Sequence, residues 1–398
     1  MDSHSLLSQI DDVALVSLAQ EMVRIPSPNG QERALGEWLA ARMAAMGMAV
    51  TVRDVHQGRL NVLAELPGRD GGPAGLLFHA HIDTVPVMGM PDPYSGHLVD
   101  GAIWGRGAVD QKGGLAAAIA AIGALAQARL TLRKGVALAA VIDEESEHRG
   151  SFSLVEDCIQ AEAAIVTEPS DLQLIVGHKG TVPARITLLG IQAHGSTPWL
   201  GINAVEHAAR VVEALGRLEP RGVDVPGVGT VRGTVNIGLI QGGTAYNNVP
   251  DHCDVWIDRR TVPGETQASV LAELGDLLVG LAESLPGFRG SVEIDRPDWK
   301  WPIIRQRGLN PSATLGDNPL TRALREAHCH VTGRPPERAY HNGYLDMDFL
   351  VNDLGIPTVN YGPGEETLCH TLEERLDVAQ LTAAARVYAL TAQALCAW

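Results

Sequence analysis

The fold is decided by the stretch Leu76-Leu77-Phe78-His79-Ala80-His81-Ile82-Asp83-Thr84-Val85-Pro86. Its apolar first half is typical of a short strand that is buried on both faces of a sheet. The strand ends in polar residues, and ligands of open parallel sheets bind at the carboxyl ends of the strands. We therefore expect His81 and Asp83 at an edge where a functional site would form. Taken alone, this His-x-Asp pattern is equally typical of a strand-end histidine that bonds to a carboxylate.

Length and composition limit the class of protein. The chain has 398 residues, which is enough for two or three domains with a large core. Its 45% apolar and 20% charged residues are typical of a soluble globular protein. The net charge of -16 disfavours a nucleic-acid or anionic-membrane partner, because such partners bind basic surfaces. The apolar run at 113–128 is shorter than the roughly 20 residues that a membrane span needs.

Cysteine usage indicates the compartment. The five cysteines are scattered, odd in number and without zinc-finger spacing, so we expect no disulfide framework and a reducing environment. The N-terminal residues Met1-Asp2-Ser3-His4 lack the basic region of a signal peptide. We therefore predict a cytoplasmic protein.

Alternating strands and helices predict an α/β fold with a mostly parallel sheet. The predicted strands, besides the one quoted above, lie at 50–55, 60–66, 135–142, 163–167 and 356–361. The predicted helices lie at 12–24, 31–46, 112–129, 320–332 and 378–395.

A different pattern occupies the middle of the chain. There the order is β-α-β-β-α-β, which is typical of an α+β sandwich of one sheet and two helices. Its predicted elements are strands at 181–189, 231–240, 253–259 and 291–294 and helices at 203–218 and 266–284. We therefore predict a catalytic domain formed by 1–180 and 296–398, interrupted by an inserted domain at 181–295.

Acidic residues and histidines follow several of the predicted strands and loops. They are His81 with Asp83, Asp110, Glu144 with Glu145, Glu168, and His370. If the strands are neighbours in one sheet, their side chains converge, and carboxylates packed together repel each other unless a cation joins them. Histidine with carboxylates suits Zn²⁺, with Co²⁺ or Mn²⁺ as alternatives. Two metals about 3.5–4 Å apart would share one carboxylate and lower the pKa of a shared water.

Six stretches, in this order along the chain, carry a resemblance to one family. The chain resembles the co-catalytic zinc amidohydrolases and peptidases that include acetylornithine deacetylase, succinyl-diaminopimelate desuccinylase, aminoacylase and glutamate carboxypeptidase. Each stretch is weak evidence alone, but together they span nearly the whole chain. The matching stretches are 81–86 (HIDTVP), 105–114 (GRGAVDQKGG), 143–145 (DEE), 167–169 (TEP), 193–198 (AHGSTP) and 369–371 (CHT).

The resemblance implies two zinc ions per chain and a set of ligands. Asp110 would bridge both metals. His81 and Glu168 would complete one metal site, and Glu145 and His370 the other. The family also tends to have a cis peptide bond after the bridging acid, so we expect one between Asp110 and Gln111.

The resemblance also implies roles for neighbouring acids. Asp83 would hold the imidazole of His81 from behind. Glu144 would be the general base, although the residues themselves leave open which member of the adjacent Glu144–Glu145 pair is base and which is ligand. Relatives with glutamate at the position of Glu168 are mostly deacylases and carboxypeptidases, whereas aspartate is more usual in aminopeptidases and dipeptidases.

The inserted domain resembles the family's lid, which commonly also forms a homodimer interface. His194 matches a histidine that stabilises the tetrahedral intermediate, often from the partner subunit; otherwise it is a surface turn residue. Asn248 and Arg260 match lid positions linked to substrate. The guanidinium of Arg260 would bind a substrate carboxylate through two parallel hydrogen bonds, or else form only a surface ion pair.

One segment departs from the family pattern. Residues 341–348 (HNGYLDMD) occupy the place of a glycine-rich segment that often carries a basic residue where Asp348 stands. This difference puts the usual contact with a substrate carboxylate in doubt.

The sequence thus predicts a metal-dependent hydrolase of an N-acyl amino acid or short peptide, acting beside a free carboxylate. A broader-specificity amidase or a dipeptidase on the same scaffold is the first alternative. A serine hydrolase is disfavoured because the chain contains no Gly-x-Ser-x-Gly motif. A non-catalytic binding protein would have lost a ligand or the base, and none is missing.

Overall fold

A computed structural model describes residues 3–296 and 300–397. Within these ranges, no helix combines the length and apolar character needed to cross a membrane. The chain forms two compact units. The first consists of the described parts of Met1–Gly177, Ala313–His341 and Leu345–Trp398, and the second of those of His178–Ser312 and Asn342–Tyr344. The domain boundaries inferred from the sequence, at 180/181 and 295/296, stay a prediction.

The helices predicted from the sequence are all present. In chain order the α-helices are α1 (Ser3–Leu7), α2 (Asp12–Val23), α3 (Arg33–Ala45), α4 (Gly113–Gln127), α5 (Arg149–Glu156), α6 (Ala204–Leu215), α7 (Gln267–Ser284), α8 (Pro302–Arg307), α9 (Pro319–Thr332) and α10 (Val378–Cys396). Shorter helical turns occupy Ala108–Lys112, Pro198–Leu200, Phe349–Asp353 and Glu366–Leu368.

The strands are more numerous than predicted. They are β1 (Ala49–His56), β2 (Arg59–Leu66), β3 (Leu76–His81), β4 (His97–Val99), β5 (Ala102–Trp104), β6 (Val136–Val141), β7 (Ala164–Val166), β8 (Leu174–His178), β9 (Gly180–Leu189), β10 (Ala193–His194), β11 (Gly222–Val225), β12 (Gly229–Arg232), β13 (Thr234–Gly242), β14 (Asn248–Val249), β15 (His252–Thr261), β16 (Gly290–Ile294), β17 (Ser312–Ala313), β18 (Arg338–His341), β19 (Thr358–Asn360) and β20 (Arg375–Asp377).

The main sheet confirms the predicted mostly parallel α/β architecture. Its strand order is β1-β2-β6-β3-β7-β19-β8-β17, with β18 beside β8. The central strands β6, β3, β7 and β19 run parallel, whereas β1 and β2 pair antiparallel with their neighbours and β8 pairs antiparallel with β19. The first flank is antiparallel because β1 and β2 form a hairpin whose two turn residues, Gln57 and Gly58, both have positive φ.

The quoted stretch forms the buried central strand β3, as predicted. All six of its residues are buried. Strand β3 pairs in parallel with β6 on one side and β7 on the other, with His81 opposite Val141 and His79 opposite Val166. The residues that follow these three strands therefore leave the sheet at the same edge.

The second unit contains the predicted β-α-β-β-α-β arrangement. Its antiparallel sheet has the order β13-β15-β9-β16. Apolar residues of α6 and α7, such as Val211 and Leu274, pack with Ile186 and Val255 of the sheet in one core. Strands β13 and β16 are the two edges of this sheet.

The single strand predicted at 231–240 is wrong in detail. The chain instead forms β12, which pairs with β11, and then β13, which joins the main sheet of the unit. Gly233 separates them, and a Cβ there would lie 2.4 Å from Nη1 of Arg259 and 2.7 Å from the carbonyl oxygen of Arg260. Close packing of this segment against β15 therefore ends β12. Hydrophobic periodicity in the sequence does not reveal such a contact.

Two glycines of α4 give a matched test of close packing. A Cβ at Gly114 would lie 2.1 Å from the carbonyl oxygen of Thr167, so Gly114→Ala should lower the free energy of unfolding by about 1–3 kcal/mol or more. A Cβ at Gly123 would meet only the flexible end of Met46 at 3.1 Å. Gly123→Ala should therefore leave stability unchanged or raise it by up to about 1 kcal/mol, as alanine favours helix. Denaturant unfolding of both variants measures the difference, and equal effects would contradict the packing argument.

Candidate metal centre

One side of the candidate centre is formed around His81. This histidine ends β3, Asp110 lies in the turn Ala108–Lys112 before α4, and Glu168 follows β7 closely. The Nε2 atom of His81 is 2.9 Å from Oδ1 of Asp110 and 3.2 Å from Oε1 of Glu168. Three chain segments that are distant in sequence thus bring one imidazole and two carboxylates together.

The other side of the centre is formed around His370. Its Nε2 atom is 3.0 Å from Oδ2 of Asp110 and 3.2 Å from Oε1 of Glu145. Each carboxylate oxygen of Asp110 therefore faces a different histidine, and each histidine also faces a different glutamate. The structure brings together all five residues that the sequence proposed as metal ligands, with Asp110 between the two histidines.

The protonation behaviour of this cluster indicates a shortage of positive charge. Burial, with further effect from Asp110, raises the pKa of Glu168 to about 7. Burial likewise raises the pKa of Glu145, and the negative charge of Asp110 adds to this effect. The hydrogen bonds to Asp110 and Glu145 raise the pKa of His370 to about 10. Divalent metal ions would supply the missing positive charge in place of these protons, so the donor set fits a metal centre.

The support of His81 differs from the expectation. Its Nδ1 atom donates to the backbone carbonyl of Asp83 at 2.9 Å, while the Asp83 carboxylate lies 3.6 Å from Nδ1. The carboxylate instead accepts hydrogen bonds from the backbone N–H groups of Glu144 and Glu145, each at 3.1 Å. Asp83 therefore fixes His81 through its main chain and the Glu144–Glu145 loop through its side chain.

The turn that carries Asp110 is held by residues that the sequence did not single out. The Asp110–Gln111 peptide bond is cis, as predicted. Glu374 accepts hydrogen bonds from the backbone N–H groups of Val109 and Asp110, at 3.1 and 3.3 Å, and pairs with the buried Arg106. Only the position of Glu374, four residues after His370, could have indicated its role.

The side chain of Gln111 also supports the centre. Its amide nitrogen donates to Oε1 of Glu168, and its amide oxygen accepts from the hydroxyl of Thr167 at 2.6 Å. The amide orientation of Gln111 is thus set by a hydroxyl donor on one side and a carboxylate acceptor on the other. Glu168 therefore has a neutral amide donor beside it in addition to the imidazole of His81.

A second buried polar cluster lies behind Glu144. Ligand-type atoms of Glu144, His148 and Asp346 are within 4.8 Å of one another. Asp346 accepts hydrogen bonds from Nδ1 of His148 at 2.9 Å and from the hydroxyl of Ser151. Burial raises the pKa of Glu144 well above its usual value, and the charge of Asp346 adds to this effect. His148 and Asp346 are neighbours of Glu144 that the sequence analysis missed.

His194 and Asn248 lie in the second unit. They are paired opposite each other in the short ladder of β10 and β14. His194 is exposed, and its Nδ1 atom accepts the backbone N–H of Ser196 at 3.1 Å. This bond assigns the proton of the neutral ring to Nε2, which leaves Nε2 as the donor.

Arg260 has a cationic neighbour that the sequence analysis also missed. Arg260 lies on β15, and its Nε atom donates to Asp258 at 2.8 Å. Lys179 is only 6% exposed, and its pKa is lowered by burial and by the charge of Arg260. Among residues 3–296 and 300–397, the Lys179 side chain has no hydrogen bond or ion pair. Lys179 and the Asp258-paired Arg260 therefore lie near enough in the second unit for their charges to interact.

The segment at 341–348, which departs from the family pattern, ends in the interior of the first unit. Asp348 is fully buried, and its carboxylate accepts a hydrogen bond from the side-chain amide of Asn352 at 2.7 Å. This contact lies within the turn Phe349–Asp353. The acid at this position therefore has a local packing role.

Known proteins resemble the chain along most of its length. The sequence profile of peptidase family M20/M25/M40 matches residues 77–394. The N-formyl-4-amino-5-aminomethyl-2-methylpyrimidine deformylase of Bacillus subtilis is 28% identical over 393 residues, covering 92% of this chain and 91% of the relative. Succinyl-diaminopimelate desuccinylase 2 of Shewanella loihica is 28% identical over 395 residues, covering 93% and 97%. Among solved structures, aminopeptidase PepT from Bacillus cereus superposes with a TM-score of 0.81 at 23% identity, covering 97% and 99%.

The raised pKa values of Glu168 and His370 predict how pH changes the stability of the metal-free protein. Glu168 and His370 both hold their protons more tightly when folded, with pKa values of about 7 and about 10 against ordinary values of 4.5 and 6.5. These two groups therefore bind more protons in the folded chain than in the unfolded chain across this range, so their contribution to stability should fall as pH rises.

The measurement compares chelated wild type with chelated His370→Asn. The histidine contribution is fully present below about pH 6.5 and is lost as pH rises through about 10. Thermal unfolding should thus show a steeper fall for the wild type between these pH values. Parallel curves for the two proteins would contradict the predicted coupling.

Proposed function

The chain belongs to peptidase family M20/M25/M40, and we propose that it hydrolyses the amide bond of an N-acyl amino acid or short peptide beside a free carboxylate. Its membership makes it a metal-dependent hydrolase of amide bonds. The observation that carries the proposed hydrolysis is the paired geometry of Asp110, whose two oxygens face His81 and His370. The family match also disfavours a serine hydrolase and a non-catalytic binding protein.

We propose two zinc ions per chain, with Co²⁺ or Mn²⁺ as alternatives. Asp110 would bridge the two ions, His81 and Glu168 would hold one, and Glu145 and His370 the other. When bound, such a pair lowers the pKa of a water and polarises the amide carbonyl. The mixed set of imidazole and carboxylate ligands supports zinc.

Glu144 is proposed as the general base. Its backbone N–H is fixed by Asp83, and its carboxylate takes no part in the contacts of His370. Burial raises its pKa, so the carboxylate accepts a proton from water readily and can return it to the leaving amine. Glu144 would thus carry one proton from the water to the leaving amine.

Glutamine variants of the two adjacent acids test the assignment. Glu144→Gln should lower kcat by about 10²–10⁴-fold or more while keeping the bound metal, because it removes only the proton acceptor. Glu145→Gln should lose about one equivalent of metal, as it removes a ligand. Elemental analysis and kinetics on the same preparations measure both. If Glu144→Gln is active and Glu145→Gln keeps its metal, the assignment is wrong; a fully active metal-free protein would refute the function.

The substrate carboxylate is proposed to bind at Arg260, with Lys179 beside it. The guanidinium suits a carboxylate through two parallel hydrogen bonds, and the nearly buried ammonium adds positive charge. Glutamate at position 168 agrees with the deacylase and carboxypeptidase branches of the family. These observations support an acidic substrate.

A broader amidase is the second candidate function. It is favoured by the deformylase relative, whose name describes an N-formyl aminomethylpyrimidine and no carboxylate. The two candidate functions differ in whether Arg260 binds a negatively charged group of the substrate.

Esters of good substrates decide between the candidates. If the enzyme recognises the substrate carboxylate, the methyl ester should be a poorer substrate than the acid by about ten- to a hundred-fold. This difference corresponds to roughly 1.5–3 kcal/mol. Arg260→Ala should then slow hydrolysis of the acid and barely affect the ester. Arg185→Ala, which removes a half-buried cation of the same sheet that pairs with Glu293, should affect neither. Equal rates for acid and ester would favour the broader amidase.

His194 and Asn248 are proposed to stabilise the tetrahedral intermediate and to bind substrate. The Nε2–H of His194 is a hydrogen-bond donor, which suits a developing oxyanion. The pairing of the two residues across β10 and β14 supports a shared role.

We also propose a homodimer formed through the second unit, in a cytoplasmic protein. Strand β13 is an edge of its sheet and exposes Leu239 and Ile240, which are 53% and 49% accessible. Pairing with a twin would cover this edge. The reducing compartment is supported by five free cysteines.

Light scattering tests the dimer. The wild type should have the mass of two chains at micromolar concentration. Leu239→Lys should shift the protein towards monomer, because a charge at a covered edge is costly, whereas Val13→Lys in the first unit, at a residue that is 79% exposed, should not. A wild type with the mass of one chain would contradict the proposal.

A further inference from the structure

Asn29 joins two of the loops that contribute to the candidate centre. This residue lies in the turn after α2, outside every stretch that resembles the family. Its side-chain amide nitrogen donates to Oδ2 of Asp83 at 2.9 Å and to Oδ1 of Asp143 at 3.1 Å. We propose that Asn29 is a positioning residue that sets the place of Glu144 and Glu145, an inference that rests on the function proposed above.

The two carboxylates that Asn29 joins control the loop from both ends. Asp83 accepts the backbone N–H groups of Glu144 and Glu145. Asp143 directly precedes Glu144 and has a positive φ of 71°, a conformation that a non-glycine residue keeps only where its surroundings enforce it. A change in the distance between these carboxylates would therefore move the base and the ligand together.

The charges around the carboxylates show why a neutral donor is needed. Asp143 is bound by Arg59 at 2.7 Å and by Arg149 at 3.0 Å. Asp83, in contrast, is bound by no arginine or lysine of the described residues, and both acids are fully buried. The carboxamide of Asn29 satisfies an oxygen of each acid and separates two like charges that would otherwise face each other.

The main chain of Asn29 is held as firmly as its side chain. Its backbone N–H donates to the carbonyl of Thr84 at 2.9 Å, and the N–H of Thr84 donates to the carbonyl of Ser27 at 3.0 Å. These bonds fasten the turn directly beside Asp83. The carboxamide is therefore held next to Asp83 by main-chain bonds as well as by its own contacts.

Asn29→Asp is the first test, because it keeps the shape of the side chain and removes both donors. It also places a third carboxylate beside two buried ones. Loss of such a supporting contact typically lowers metal affinity or activity by about 10–100-fold. We expect a loss of this size in kcat, with KM changed less than about twofold, and a matching loss of metal affinity in competition with a chelator. The metal measurement needs no substrate, so it tests Asn29 even if the proposed reaction fails.

The double variant Asn29→Asp with Asp143→Asn is the second test. It restores the amide-to-carboxylate pairing between positions 29 and 143, whereas Asp83 stays without its side-chain donor, so the expected recovery is partial. Arg59 and Arg149 keep their other partners, Glu32 and Glu147, so the exchange leaves neither cation unpaired. We expect the double variant to recover metal affinity and kcat in part relative to Asn29→Asp alone.

Asn318→Ala is the control for a general loss of stability. Asn318 caps α9 by accepting the backbone N–H of Thr321 at 3.0 Å, and its loss should lower the melting temperature without changing kcat or metal affinity. The proposal is overturned if folded Asn29→Asp keeps wild-type kcat and metal affinity. It is also overturned if Asn29→Asp behaves like Asn318→Ala, or if the double variant recovers nothing.

Discussion

Repulsion between converging carboxylates is the constraint on which this structure depends. Parallel strands β3, β6 and β7 end at one edge of the sheet, and the acids that follow them meet at the candidate centre. Asp110 lies between two histidines, and each histidine also contacts a glutamate. Such a cluster is stable only when cations or protons offset its charge, and burial together with the charge of Asp110 raises the pKa of Glu168 accordingly. A centre of this kind is a place for metal ions because the fold leaves it short of positive charge.

The contacts around the centre divide between charged and neutral donors. Where an acid lies beyond the centre itself, arginine pairs with it, as Arg106 does with Glu374 and Arg59 with Asp143. Where an acid touches the centre itself, its supporting donor is an amide, as Gln111 is towards Glu168. This division keeps cationic side chains away from the place that metal ions would occupy, and it still satisfies the buried carboxylate oxygens.

Sequence alone predicted much of this arrangement, and the parts it missed have a common cause. The apolar strand that ends in His81, the mostly parallel sheet and the order of elements in the second unit follow from local periodicity, and the structure confirms them. The contacts of Glu374, Asn29, Lys179 and His148 depend on which distant segments meet, so no local pattern contains them. The break between β12 and β13 was missed for the same reason, because Gly233 is required by Arg259 and Arg260 across the sheet. The family resemblance supplied proposed roles for individual residues, which hydrophobic periodicity could not supply.

The double use of Asp83 has a consequence for how such a centre changes over evolutionary time. Its carboxylate holds the backbone N–H groups at positions 144 and 145, and its carbonyl holds the imidazole of His81. The shape of the loop is thus encoded in main-chain bonds, which are indifferent to the side chains that the loop displays. Mutation can exchange the displayed side chains while the loop geometry persists. New metal preferences and new reactions can therefore arise on this scaffold by single substitutions, without an intermediate that has lost its fold.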